Sequence, residues 1–237
     1  MSESGIVSTQ DPSQRSGAER AATWMVGGRL SSVLHLGDGP MAYVLSQAGH
    51  DVVVAGEDVI GRRDRDVQYV RTSAERLPFA ASSFDALIAP SLEESPAILA
   101  EYARVLRCGA FLATMHRVHD VTVPWVRRLH DLVGHTPRRP EDAHAPAASG
   151  LFETVESTDV GAWEELDLPG LLRFAEQLRG PSVRGDLTSA VRDLFREYGG
   201  QTNTLRLRHT TTCLRTRNLT EDEPEPAVPE TVLLDLG

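Results

Sequence analysis

The run Val33-Leu34-His35-Leu36-Gly37-Asp38-Gly39-Pro40, with Glu57 downstream, reads as a strand, a glycine-rich turn, the start of a helix, and then a second strand closing on a carboxylate. Gly37 and Gly39 let the backbone turn sharply and approach a ligand without a clashing Cβ. The helix that begins near Pro40 aims its first amides and the positive end of its dipole at an anionic group. Pro40 suits a first helical turn, where its missing donor costs nothing. Glu57, past the second strand, is placed to accept hydrogen bonds from ribose hydroxyls. These features describe a site for a ribosyl cofactor. They do not choose between cofactors, because Gly37, Gly39 and Ala42 also satisfy the GxGxxG/A dinucleotide pattern, with an acid about 20 residues on. A ligand-free strand-to-helix turn needs the same glycines.

Outward from this turn, apolar runs alternate with helical patterns, the signature of a parallel sheet covered by helices. Strands are expected at 32–36, 51–55, 67–71, 84–89 and 110–116, with two more near 151–157 and 205–214. A lead-in helix should start at Ser16, where Ser16 and Glu19 form a capping box ahead of Ala21, Ala22, Trp24 and Met25. A second box, Ser91-Leu92-Glu93-Glu94, predicts a helix with Ile98, Leu99, Tyr102, Val105 and Leu106 on one face. Asp120 is read as the cap of a helix through Trp125 and Leu129. Further helices are expected after Asp167 and from Asp186 to Tyr198. The aperiodic stretch 134–148 is a connecting loop or a lid.

The 237 residues, 41% of them apolar, suit one domain with an ordinary core. No apolar run approaches the roughly 18 residues of a membrane span, and the polar N-terminus has no signal-peptide pattern. Residues 1–15 are expected to be flexible, 16–217 to form the α/β domain, and 218–237 to be a disordered acidic tail rich in proline. Asn218-Leu219-Thr220 is read as an accidental sequon. The formal charge is −10, and six acids lie in that tail, leaving about −4 on the body. No basic surface is available for phosphate, so nucleic acid is not an expected partner. Cys108 and Cys213 make neither a CxxC nor a ligand quartet, and a cytoplasmic location is the simplest expectation. All 24 basic residues are arginine, which rules out a Schiff-base lysine and with it pyridoxal-type chemistry.

Two later segments narrow the cofactor. Ser73-Ala74-Glu75-Arg76-Leu77-Pro78-Phe79 precedes Ser83-Phe84-Asp85, and Glu101-Tyr102-Ala103-Arg104-Val105-Leu106-Arg107-Cys108-Gly109-Ala110 precedes the fifth strand. With the Gly37 loop and Gly56-Glu57-Asp58, they resemble the ordered motifs of class I S-adenosylmethionine-dependent methyltransferases, of the branch that includes the quinone C-methylating enzymes. The likeness runs from about Ser31 to Arg217. It implies a Rossmann-like doubly wound fold: an α/β, mostly parallel seven-stranded sheet with an antiparallel last strand.

The resemblance further implies S-adenosylmethionine as cofactor and a small-molecule acceptor as partner. The cofactor residues it implies are His35, Gly37, Asp38, Gly39, Glu57, Ser73, Ala74, Glu75 and Ala89. The chain departs from the family pattern at four places. His35 replaces the acid that ends strand one, Met41 replaces the third glycine, and Cys108 and Ala110 replace proline and glycine. Met41 is expected to crowd the methionine part of the donor, and an imidazole cannot take a carboxylate's role toward the donor's ammonium.

Methyl transfer asks mainly for positioning, with a general base when the acceptor is a hydroxyl or amine. His116, at the carboxyl end of the fifth strand, is the expected base, followed by His119 and His35. His116 and His119 also suggest a metal clip, but no third ligand is identifiable from sequence, so no metal is expected. Trp24, Trp125 and Trp163 are candidates for an acceptor pocket, with core packing the plainer use. Three functions stay open: a small-molecule methyltransferase, a non-catalytic module on the same fold, and a nicotinamide-dependent oxidoreductase.

Overall fold

Val33, Leu34 and Leu36, like Val52 to Ala55 and Ala86 to Ile88, are buried without interruption, as strands covered on both faces must be. A computed structural model of the chain describes residues 16–37, 39–57, 59, 67–92, 94–135, 145–180, 183 and 185–221. Its strands are β1 (Ser32–Leu36), β2 (Asp51–Gly56), β3 (Val67–Arg71), β4 (Phe84–Ile88), β5 (Leu106–His119), β6 (Glu156–Leu166) and β7 (Leu205–Arg217). They form one seven-stranded sheet in the order β3-β2-β1-β4-β5-β7-β6. The first five run parallel, β7 is antiparallel to β5, and β6 pairs antiparallel with β7. This is the expected Rossmann-like topology, with chain order reversing beside β1.

The helices are α1 (Gly17–Val26), α2 (Pro40–Gln47), α3 (Pro96–Val105), α4 (Pro124–Val133), α5 (Ala145–Ala148), α6 (Leu168–Leu178) and α7 (Thr188–Tyr198). α1 and α2 bury Met25, Met41 and Leu45 against one face of the sheet, with Val33, Val52 and Val54. α3 covers the other face through Leu99, Tyr102 and Val105, against Leu34, Val53 and Leu112. β5 and β7 continue well past the ends of β1 and β4, and α4, α6 and α7 pack around Leu205 and Leu207 in a third cluster. No described helix is long and apolar enough to cross a membrane. Both cysteines are free thiols, Cys108 exposed and Cys213 buried.

The Ser16 and Glu19 capping box forms as expected, with both reciprocal hydrogen bonds made. Asp167 caps α6 by accepting from the Gly170 N–H at 2.8 Å. Elsewhere several boundaries differ from expectation. The Ser91 box does not open α3; Ser95 does, its Oγ accepting from the Ile98 N–H at 3.4 Å. The residue before a proline is driven to extended backbone, and Ser95 (ψ 154°) before Pro96 obeys this. Leu106 is not on the helix but opens β5, opposite Phe84. Gly109 (φ +73°) therefore serves an irregularity within the β5 pairing rather than a helix stop.

Asp120 likewise does not cap α4, whose N-cap is Val123. Its carboxylate instead closes a local turn, accepting from the N–H and hydroxyl of Thr122 at 3.0 and 2.5 Å. The strand expected at 151–157 lies at Glu156–Leu166, an edge strand whose outer residues face solvent and so carry little apolar signal. Within 134–148, residues 145–148 are helical, and the remainder from 136 to 144 lies outside the described residues, as do 1–15. Packing also continues beyond Arg217. Asn218 is 1% exposed, and its side-chain amide donates to the carbonyls of Ala103, Leu106 and Arg107 at the end of α3. The boundary expected after Arg217 is corrected accordingly; 222–237 lie outside the described residues.

Candidate functional site

In an open α/β sheet ligands bind outside the carboxyl ends of the strands, where the chain order reverses. At that edge the Gly37 turn leaves β1 with φ +79°, the left-handed region that glycine enters freely. A Cβ on Gly37 would meet nothing within 4 Å among the described residues, so the turn is open on their side. Its N–H donates to the Ala55 carbonyl on β2 at 2.8 Å. A Cβ on Gly56 would lie 3.5 Å from the Gly37 nitrogen, so the loops after β1 and β2 touch, and Glu57 stands exposed directly after Gly56. The loop after β3 joins them through Thr72, whose N–H donates to the Gly56 carbonyl at 3.2 Å. Asp38 lies outside the described residues.

His35 is 7% exposed and turned into the loop. Its Nδ1 is 2.9 Å from the Gly37 carbonyl, and its ring lies within 3.4 Å of where a Gly39 Cβ would be. With the proton on Nδ1 it donates to that carbonyl and braces the turn from beneath. Met41 does not crowd the loop, contrary to expectation. It is 4% exposed and packs in the core under α2, because the first turn of the helix points it back toward the sheet.

Ser73, Ala74 and Glu75 form the turn after β3, with the Thr72 hydroxyl donating to the Arg76 carbonyl at 2.9 Å. Ala74 packs on the α3-side core. Glu75 is exposed; its own backbone N–H and then the Ser73 hydroxyl hold its carboxyl below the usual range, so it stays ionised. Across from it, burial and then the Glu75 charge push Glu94 up. Ala89, directly after β4, is buried, its N–H donating to the Ala113 carbonyl at 2.8 Å.

The Glu101-x-x-Arg104 pair on α3 fixes this turn from behind. Glu101 accepts from the Leu77 N–H at 2.7 Å and from Arg104 Nη2 at 2.7 Å. Arg104 in turn donates to the carbonyls of Phe79 and Leu77 at 2.8 and 3.1 Å. The Arg104 hydrogen bond, opposed next by burial and helped by the Leu77 amide, holds the Glu101 carboxyl below its ordinary range. The Asp85 carboxylate similarly joins the start of β1 to β5, accepting from Ser32 N–H and Arg107.

The structure thus gathers His35, Gly37, Gly39, Glu57 and the 73–75 turn at one edge of the sheet, with Ala89 at the end of β4. His116 is half-buried three residues past Ala113, about 10 Å farther along β5. Strand alternation puts it on the α3 face with Leu112 and Thr114, opposite the face that carries His35. The same alternation breaks the expected pairing of His116 with His119, which point to opposite faces.

His119 instead meets His130 and His135, a grouping invisible in the sequence because a helix and a turn separate the three. The tryptophans do not converge. Trp125 is core, Trp24 stacks with Arg215 at 4.3 Å, and Trp163 is exposed beneath Arg206 at 4.8 Å. A cavity of about 690 Å3 lies between α1 and α2, but it opens at the amino-terminal edge, among Leu30, Tyr43, Gln47 and His50, away from the strand ends that form the site.

Residues 36–114 match the family model described as the methyltransferase domain. Among solved structures, a protein from Anaeromyxobacter dehalogenans assigned as a type II methyltransferase is similar, at 18% identity and a TM-score of 0.59, covering 86% of this chain and 97% of that one. The YcgJ protein from Bacillus subtilis is similar at 13% identity and a TM-score of 0.50, covering 86% of this chain and 98% of that one. A search of curated proteins finds no match to the sequence. The chain carries a Rossmann-like methyltransferase fold, and its residues 36–114 match the methyltransferase domain family.

Proposed function

We propose that this chain binds S-adenosylmethionine at the carboxyl edge of its sheet and transfers the donor's methyl group to a small-molecule acceptor. The observation that carries the reading is the open Gly37 turn in contact with the loop that presents Glu57, at the point where strand order reverses. The residues suit the group: unobstructed backbone at Gly37, the first turn of α2 beside it, and an exposed carboxylate at the end of β2 for ribose hydroxyls. The Ser73–Glu75 turn, held by Glu101 and Arg104, would border the adenine, and the small buried Ala89 leaves room beside it.

The donor supplies a sulfonium methyl that is already a strong electrophile, so the protein's task is alignment and exclusion of water. His116, beyond the strand ends on the α3 face, is assigned the removal of a proton from the acceptor's hydroxyl or amine. His35 braces the Gly37 carbonyl and takes no proton in this scheme. Because His35 stands where an acid would hold the donor's ammonium, a module that binds the product but does not turn over is the second reading. Glu57→Ala is expected to weaken S-adenosylhomocysteine binding at least tenfold, about 1.4 kcal/mol, in calorimetry. Unchanged affinity in that variant would place the ribose elsewhere and overturn the site.

A further inference from the structure

Three histidines from two elements and a turn meet at the far end of β5. His119 is 8% exposed and His130, on α4, is 4% exposed. Gly134 (φ +62°) ends α4 in the left-handed conformation and turns the chain back, so that the His135 N–H donates to the His130 carbonyl at 2.9 Å. That reversal brings the His135 ring to 4.6 Å from His130, while His119 lies 5.5 Å from His130 and 6.4 Å from His135, centroid to centroid. One ring nitrogen from each of the three lies within 4.8 Å of the others. Both nitrogens of His130 are buried with no hydrogen-bond partner among the described residues. A buried imidazole without partners is costly, and here its ring neighbours are two more imidazoles, with Phe174 lying 4.9 Å from His119.

From this juxtaposition we infer that His119, His130 and His135 form a site for one divalent transition-metal ion of the zinc class, with a fourth position left for water or an anionic oxygen. Three imidazoles are a sufficient ligand set for such an ion, and tetrahedral ligands on zinc lie about 3.3 Å apart, so the rings need close only by about 1.5 Å. The ligand form is the neutral ring, whose free nitrogen offers its lone pair to the ion. Three neutral ligands leave the ion's charge uncompensated, which favours an anionic fourth ligand. His209 stands directly opposite His119 in the β5–β7 ladder, with its Nδ1 buried and without a partner among the described residues, so it is the candidate to hydrogen-bond that ligand. A cavity of about 370 Å3 lined by His119, Arg117, Glu164 and Phe174 provides an entry path.

His119 is six residues beyond Ala113, about 20 Å along the strand, so the ion ties α4 to the β5–β7 overhang rather than joining in methyl transfer. The test uses the untagged full-length chain, stripped by chelator and titrated with Co2+ and then Zn2+. Binding of one equivalent with the intense visible bands of tetrahedral Co2+, displaced by Zn2+, is expected, together with a rise in Tm. His135→Ala, on a half-buried turn, should lower affinity at least a hundredfold, and His130→Gln should do the same. Substoichiometric binding, octahedral spectra, or affinity unchanged in His135→Ala would overturn the site. If His130→Gln fails to fold by circular dichroism, His135→Ala alone decides. None of these readouts depends on S-adenosylmethionine.

Discussion

At the scale of single residues, Gly37 is legible from sequence because the backbone demands it: its φ of +79° admits few residues besides glycine. Side-chain direction is not legible in the same way. Met41 looks like an obstruction in the glycine-rich loop, yet the first turn of α2 swings it into the core. Met41→Ala should therefore cost about 2–4 kcal/mol of stability in urea unfolding, as a buried methionine would, and leave S-adenosylhomocysteine affinity within about twofold. A tightened affinity would show that it crowds the donor after all. His116→Ala should lower kcat by about a hundredfold or more with product affinity unchanged, the split expected of a base acting on the acceptor rather than a cofactor ligand. Equal loss in both quantities would move His116 into the cofactor site. The histidine cluster escaped notice because His119, His130 and His135 come together only through a helix and a left-handed turn.

The elements show the same division. Central strands and the Ser16 helix are plain in the sequence because continuous burial and a capping box are local signals, whereas β6 is an edge strand with a polar outer face and the N-cap of α3 is moved four residues on, to Ser95 before Pro96. The Glu101-x-x-Arg104 pair holds the 77–79 backbone, and through it the turn after β3. Glu101→Gln should destabilise the protein by about 1–2 kcal/mol at pH 7. The folded state holds this carboxyl below its unfolded value, so its contribution is complete above about pH 4.5 and fades as pH falls through the folded value. The gap between wild type and variant, measured by urea unfolding, should thus narrow on acidification. A gap that stays constant down to pH 3 would show that the arginine pairing contributes nothing.

Across the whole molecule, seven strands in the order β3-β2-β1-β4-β5-β7-β6 reverse chain order beside β1, and the long β5–β7 overhang carries a separate helical layer. The parallel half follows from alternating apolar and helical segments. The overhang does not, since strand length beyond the core is set by packing against α4, α6 and α7. The last strand is locked to α3 by Asn218, and Asn218→Ala should cost about 2–3 kcal/mol by leaving buried carbonyls unpaired, readable as a lower urea midpoint. An unchanged midpoint would mean that water replaces the amide there. The measurement that bears most directly on the reading of this fold as a methyl-transfer site is a calorimetric titration of the full chain with S-adenosylhomocysteine, and in parallel with NADH. One-to-one binding of the first at micromolar affinity and none of the second is predicted; tight binding of NADH, or silence toward both, would contradict it.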